Sequence, residues 1–225
     1  ADFLVKKPKE LTSKQTMILG TAGLTALSCS FTTKTAREEL LLGEKVENVI
    51  VTGSSGGVGS MAVMILNKLG CNVTAVTGKE SNREYLKSIG AKNIINTSDL
   101  NKEARPLDKG LWDGAVDTVG GQILANVLAQ TKEGGIVAAC GNAADIKLNT
   151  TVMPFIIRGV KLWGINSVNA SIKRRQFLWN EAPKLIDFDL LDQSVKEVNL
   201  EGLLEIFPKM LKGETSGRYI VDLNK

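Results

Sequence analysis

The chain has 225 residues, 43% of them hydrophobic, with 28 basic and 24 acidic side chains and a formal charge of +4. That length can bury one sizeable core, and its apolar residues fall in short runs that do not approach the roughly 20 residues of a membrane-spanning helix. Histidine is absent, which removes Ser-His-Asp triads, Cys-His dyads and imidazole metal sites from the chemistry these residues can perform. Cys29, Cys71 and Cys140 lie far apart without a CxxC spacing. They read as small buried apolar residues rather than zinc ligands, a redox dithiol or a disulfide framework. The first eight residues lack the order of a signal peptide, so the expected compartment is the cytoplasm. The densest basic cluster, Lys173-Arg174-Arg175, reads as a solvated helix face, and neither nucleic acid nor membrane is an expected partner.

From the N-terminus, Thr12-Ser13-Lys14-Gln15 has the T-x-x-Q form of a capping box. It opens a tightly packed, glycine-containing helix or helix pair through Met17 to Leu27. Between Asn48 and Ile165, short β-branched runs alternate with amphipathic stretches, the signature of an α/β fold with a doubly wound parallel sheet. Six strands are expected: Asn48–Thr52, Asn72–Val76, Asn93–Ile95, Gly114–Asp117, Ile136–Cys140 and Lys161–Ile165, all buried on both faces. Helices Val58–Leu69 and Ser81–Ile89 stop before Gly70 and Gly90, residues suited to a left-handed C′ position, and Gln122–Thr131 is the crossover after the fourth strand. Two βαβαβ groups make the halves of a dinucleotide-binding Rossmann domain. Downstream, Asn199–Leu211 reads as an amphipathic helix and 213–217 as a turn. Arg218–Leu223 reads as a strand with no place in the six-stranded sheet, so another segment should pair with it.

The chemistry is concentrated in Val49-Ile50-Val51-Thr52-Gly53-Ser54-Ser55-Gly56-Gly57-Val58-Gly59-Ser60, a buried strand running through a glycine-rich turn into a helix. A pyrophosphate needs close backbone approach, assigned to Gly56, and the helix needs close packing on the strand, assigned to Gly59. The helix-start amides then face the phosphates. Ser54 breaks the strict G-x-G-x-x-G pattern, and Gly53 supplies the turn instead. Cofactor choice falls at the end of the second strand, where an NAD site places Asp or Glu. Here Thr77 is neutral and Lys79, with Arg83 a turn further on, sets positive charge where an adenosine 2′-phosphate would sit. Ser81 adds a hydroxyl there, or caps the following helix with Glu84 as an S-x-x-E box. Two further strands end in the loops 116–121 and 139–143, whose small residues leave room for a nicotinamide. Asp117 is read as a loop brace or helix cap rather than a catalytic acid.

The blocks Gly20-Thr21-Ala22-Gly23-Leu24-Thr25-Ala26, Val51 to Ser60, Thr77-Gly78-Lys79-Glu80-Ser81, Glu84 to Ser88, Asp117-Thr118-Val119-Gly120 and Thr151-Val152-Met153-Pro154-Phe155-Ile156 resemble the zinc-free medium-chain dehydrogenase/reductases. Within these, the resemblance is to the NADPH-dependent acryloyl-CoA reductase group, over essentially the whole chain. It implies reduction of the carbon–carbon double bond of a short enoyl-CoA by hydride from NADP(H). It further implies a pyrophosphate over Ser55, Gly56, Gly57, Val58 and Gly59, a 2′-phosphate at Thr77, Gly78 and Lys79, and nicotinamide-side contacts from Thr25, Asn142, Ile156 and Ser167. A homodimer paired through Val160–Val168 is also implied. In that frame residues 1–11 are the end of an absent barrel-like catalytic domain, 12–186 the dinucleotide-binding domain, and 187–225 a C-terminal remnant returning to the barrel. A quinone oxidoreductase-like enzyme and a noncatalytic NADP(H)-binding module are the other two readings.

Overall fold

The computed structural model describes residues 4–40 and 43–223. In chain order the helices and strands begin with α1 (Ser13–Phe31), a π-helical turn (Thr32–Ala36), α2 (Arg37–Leu40), β1 (Asn48–Val51), α3 (Gly57–Lys68) and β2 (Asn72–Thr77). A 3₁₀ turn (Glu80–Asn82) leads to α4 (Arg83–Ser88), β3 (Ala91–Asn96), α5 (Thr97–Leu100), β4 (Trp112–Asp117), α6 (Gly121–Ala129), β5 (Thr131–Ala139), α7 (Met153–Arg158) and β6 (Lys161–Gly164). The chain finishes with α8 (Ile172–Leu185), α9 (Phe188–Asp192), β7 (Val195–Val198), α10 (Leu203–Leu211) and β8 (Arg218–Val221).

The six strands pair in parallel in the order β3-β2-β1-β4-β5-β6, which is a doubly wound Rossmann sheet. The winding reverses between β1 and β4, and ligands of such sheets bind outside the strand C-termini at that point. Strand period sorts the core residues to two sides. Val49, Val51, Val73, Ala75, Val116 and Ala138 pack with α1, α3 and α8. Ile50, Val76, Ala115 and Val137 pack with α6 and Leu100. Burial on both faces holds for the central strands but not for the two edges. β3 and β6 are largely exposed, because helices cover an edge strand only in part.

The capping box at Thr12 is present: its side chain accepts from Gln15 N–H and the Gln15 side chain returns to the Thr12 amide. Gly20 (φ 47°, ψ −147°) breaks α1 into two packed pieces. Gly70 (φ 85°) and Gly90 (φ 107°) take the left-handed backbone after α3 and α4. The expected helix over Ser81–Ile89 is instead a 3₁₀ turn followed by α4. The Ser81/Glu84 capping box does not form: α4 begins after Asn82 without a side-chain cap, and the Glu84 carboxylate takes Lys87 at 2.9 Å. The helix expected from Asn199 starts at Leu203, since the Asn199 side chain accepts from Gly202 N–H (3.0 Å) and closes a turn there.

The strand left over from the sheet finds its partner in β7. β7 and β8 run parallel, with Val195 opposite Arg218 and Val198 opposite Val221. Val-Lys-Glu-Val gives no clear strand pattern by itself, and the pairing is supplied by β8 rather than by local preference. No helix among the described residues is long and apolar enough to cross a membrane.

Candidate cofactor site

The glycine turn is built from the strand outward. Gly53 sits at φ +57°, and a Cβ there would lie 2.3 Å from Thr118 Oγ1, so a tight turn beside β4 requires glycine. Ser54, the residue that breaks the strict fingerprint, is fully buried. Its hydroxyl donates to Val51 O (2.7 Å) and accepts from Val76 N–H (3.0 Å), which ties the turn to β2. Gly59 packs α3 onto the turn: its Cβ would fall 2.3 Å from Gly53 O and 2.7 Å from Ser54 Cα. The first intrahelical bond of this region is Ser60 N–H to Gly56 O (3.0 Å), which leaves the amides of Gly57, Val58 and Gly59 at the positive end of the helix.

These elements open on a cleft of about 430 Å³. Its walls are Thr52, Gly53, Ser55 and Gly56 from the turn, Val76 to Lys79 with Thr97 on one side, and Thr118, Val119, Ile123 and Ala143 on the other. Gly213 and Thr215 complete it. No carboxylate is among the lining residues. Thr77 Oγ1 accepts from Lys79 N–H (3.1 Å) and donates to Ser55 Oγ (3.4 Å), so the residues after β2 are tied to the glycine turn. The Lys79 ammonium reaches into this corner and donates to Thr215 O at 2.5 Å.

Of the expected site residues, Ser55, Gly56, Thr77, Gly78 and Lys79 line the cleft, and Gly57, Val58 and Gly59 form the helix start behind it. Ser81 is exposed on the 3₁₀ turn and does not line it. Arg83 is engaged elsewhere, with Glu80 at 3.2 Å and Ile94 O at 3.5 Å. Thr25 is buried in α1 and donates to Thr21 O (2.7 Å). Asn142 is exposed, Ile156 is 70% exposed on α7, and Ser167 is half-buried on the loop after β6. None of these four touches the cleft. The basic cluster does more than face solvent: Arg175 donates to Ser167 O (2.9 Å), Val168 O (2.7 Å) and Ala170 O (3.0 Å), fixing the Ser167 loop.

Sequence reasoning missed Arg218. Its Nε donates to Ile18 O at 2.9 Å, and a Cβ at Gly57 would lie 2.9 Å from its Nη1, which places the guanidinium over the start of α3. Burial pushes its pKa down. A cation at the positive end of a helix is unfavourable unless an anion joins them. The only sequence signal was Gly217 before a strand of unknown partner. Thr97 and Thr215 were missed as well, the first because it sits just past β3 and the second because it is 136 positions from Lys79.

Asp117 is a brace. Thr52 Oγ1 donates to Asp117 Oδ1 (2.7 Å) and Gly120 N–H to Asp117 Oδ2 (2.9 Å). Burial raises its pKa even against these donors. Asp117→Ala strands both donors in the interior. The variant should lose about 3 kcal/mol of unfolding free energy, read from denaturant melts; no change would show the brace to be dispensable. Cys71 is the buried thiol expected, pushed up to about 11 by desolvation. Cys140 departs from expectation: it is only half-buried and donates to Asp117 O (3.4 Å). Its contact with Cys29, together with burial, holds the Cys29 thiol well above its ordinary range.

The zinc-binding dehydrogenase family matches residues 57–188. A probable acrylyl-CoA reductase of Escherichia coli is 43% identical over 223 residues, covering 99% of this chain and 67% of that protein. YhfP of Bacillus subtilis, a putative quinone oxidoreductase, is 39% identical over 224 residues (99% of this chain, 67% of that protein). Its crystal structure with NAD bound has a TM-score of 0.88 at 38% identity, with 99% and 67% of the two chains covered. The yhdH oxidoreductase of Salmonella enterica in complex with NADP gives a TM-score of 0.92 at 43% identity, covering 99% of this chain and 67% of that one. The chain thus spans about two thirds of these relatives. Histidine is absent from the sequence, and no three His, Cys, Asp or Glu side chains converge among the described residues. The glycine turn, the Rossmann strand order and these likenesses together place the chain in the zinc-binding dehydrogenase family, among the medium-chain dehydrogenase/reductases.

Proposed function

We propose that this chain binds NADP(H) at the C-terminal edge of its sheet and serves the reduction of the carbon–carbon double bond of a short enoyl-CoA, acryloyl-CoA first. The observation that carries the cofactor half is Lys79 standing in a cleft without a carboxylate, where an NAD-selective site would set Asp or Glu. The Gly57, Val58 and Gly59 amides and the Arg218 guanidinium face the diphosphate, and a Cβ at Gly56 would fill the space that approach needs. Thr77, Gly78 and Lys79 hold the 2′-phosphate. Thr25, Asn142, Ile156 and Ser167 are assigned to the nicotinamide side on family resemblance. Bound NADPH supplies the hydride, and the chain's own contribution is to grip and orient the nucleotide. The acyl-CoA half rests on the E. coli relative.

Residues 12–186 are read as the dinucleotide-binding domain and 187–225 as a C-terminal segment returning to the catalytic domain. A homodimer through the Val160–Val168 strand is part of the reading, supported by exposed Leu162 and Trp163 (46%) on β6, whose outer edge has no strand partner among the described residues. A quinone as electron acceptor is the second reading, favoured by the B. subtilis relative. Titration with NADPH and NADH, followed by addition of acryloyl-CoA or a quinone, tests the cofactor and acceptor readings. Tighter NADPH binding with faster oxidation by acryloyl-CoA is the expected result. Faster oxidation by the quinone would shift the substrate, and nucleotide binding without turnover of either would leave a binding module.

A further inference from the structure

The segment Gly213-Glu214-Thr215-Ser216-Gly217, far from the Rossmann motif in sequence, forms one wall of the nucleotide cleft. It is pinned at several points. Gly213 N–H donates to Met210 O (3.0 Å) and Gly217 N–H to Ser55 O (3.1 Å), so the loop is anchored both to α10 and to the glycine turn. Its flanking glycines take left-handed backbone, φ +68° at Gly213 and +70° at Gly217, and a Cβ on Gly217 would lie 2.2 Å from Ser194 O. Beyond it, Arg218 is fixed to Ile18 O. At the crest, Thr215 O accepts from the Lys79 ammonium.

A lysine side chain carries substantial rotamer entropy, and an unrestrained Lys79 would have to be ordered by the ligand it binds. An ammonium has three donors. Thr215 O takes one of them and leaves two for an incoming anion, so the contact orders Lys79 without neutralising it. A second polar cleft, bounded by Ser55, Asn82, Tyr85, Ser194 and Lys196, lies across Ser216 and Gly217. The loop thus stands between the two clefts, with Lys79 in the one that Gly213 and Thr215 line.

We propose that the 213–217 loop is a positioning element for cofactor choice: through the Thr215 carbonyl it holds Lys79 ready for the 2′-phosphate, so that preference for NADPH over NADH depends on the C-terminal segment. This rests on the reading that Lys79 contacts that phosphate. NADH shares every other part of the ligand and serves as the internal control.

The test is a double-mutant cycle in the full chain, reading dissociation constants for NADPH and NADH. Lys79→Met alone should weaken NADPH by about 30-fold and leave NADH nearly unchanged. Equal loss for both cofactors would overturn the reading of Lys79 itself, and with it the proposal. Gly217→Ala displaces the loop from Ser194 and should weaken NADPH by about fivefold with little change for NADH. In the Lys79→Met background that effect should vanish. If Lys79→Met is selective but Gly217→Ala weakens both cofactors alike, or acts as strongly without Lys79 as with it, the loop is only a wall and the proposal fails. Should Gly217→Ala not fold, the pair Glu214→Gly and Ser216→Gly loosens the same loop through chain entropy alone and is held to the same outcomes.

Discussion

Gly56→Val is expected to abolish binding of NADPH and NADH alike while leaving the chain folded. Gly56 precedes α3 with φ −83° and ψ 173°, extended backbone that a β-branched residue adopts readily. A Cβ there would meet only Gly53 O, at 3.3 Å, a contact relieved by a few tenths of an ångström. The two methyls of valine would instead occupy the mouth of the cleft, between the first amides of the helix and the diphosphate. Hydrogen bonds from those amides to a charged group are worth about 1.5–3 kcal/mol each. Losing two of them corresponds to an affinity loss of at least about 100-fold. Fluorescence titration with either nucleotide reads the effect, and an unaltered circular dichroism spectrum and melting temperature separate it from unfolding. Undiminished affinity would show that the diphosphate does not approach this turn.

Lys79→Glu should separate the two cofactors. It removes the one cation among the residues lining the cleft and installs a carboxylate where an NAD-type site carries one. The 2′-phosphate loses a charge-assisted hydrogen bond and gains a repulsive neighbour. NADPH affinity should fall about 100-fold or more, and NADH affinity should hold or rise slightly. Because Lys79 is half-buried at a solvent-facing mouth, the wild-type preference should also shrink as salt is raised. Parallel losses for the two nucleotides at every ionic strength would remove Lys79 from the phosphate.

The parts of this structure that were legible in the sequence are those fixed by local rules. β1, β2, β4 and β5 are largely apolar in their middles because they are buried on both faces, and Gly53 and Gly59 occupy places where a Cβ would run into Thr118 Oγ1 and Gly53 O. The parts that were not legible depend on distant partners. Ser81 and Glu84 have the form of a capping box, yet the 3₁₀ turn at Glu80–Asn82 moves the helix start past Ser81 and the Glu84 carboxylate pairs with Lys87. Arg83 was read as a second cation for the phosphate, but Glu80 lies three residues away on the same turn and takes it. Arg218 and Thr215 could not be placed at all until β8 found β7, because nothing near them in the chain reports that they return to the glycine turn.

That return has a bearing on biosynthesis. The cleft is walled by residues of the glycine turn, by 76–79 and by Gly213 and Thr215, so a ribosome that has delivered the whole parallel sheet has still not delivered a finished cleft. The cleft is closed only when Gly213 and Thr215, C-terminal to every strand of that sheet, fold back onto it. A nascent chain stalled after β6 should therefore hold a Rossmann core that captures its coenzyme weakly.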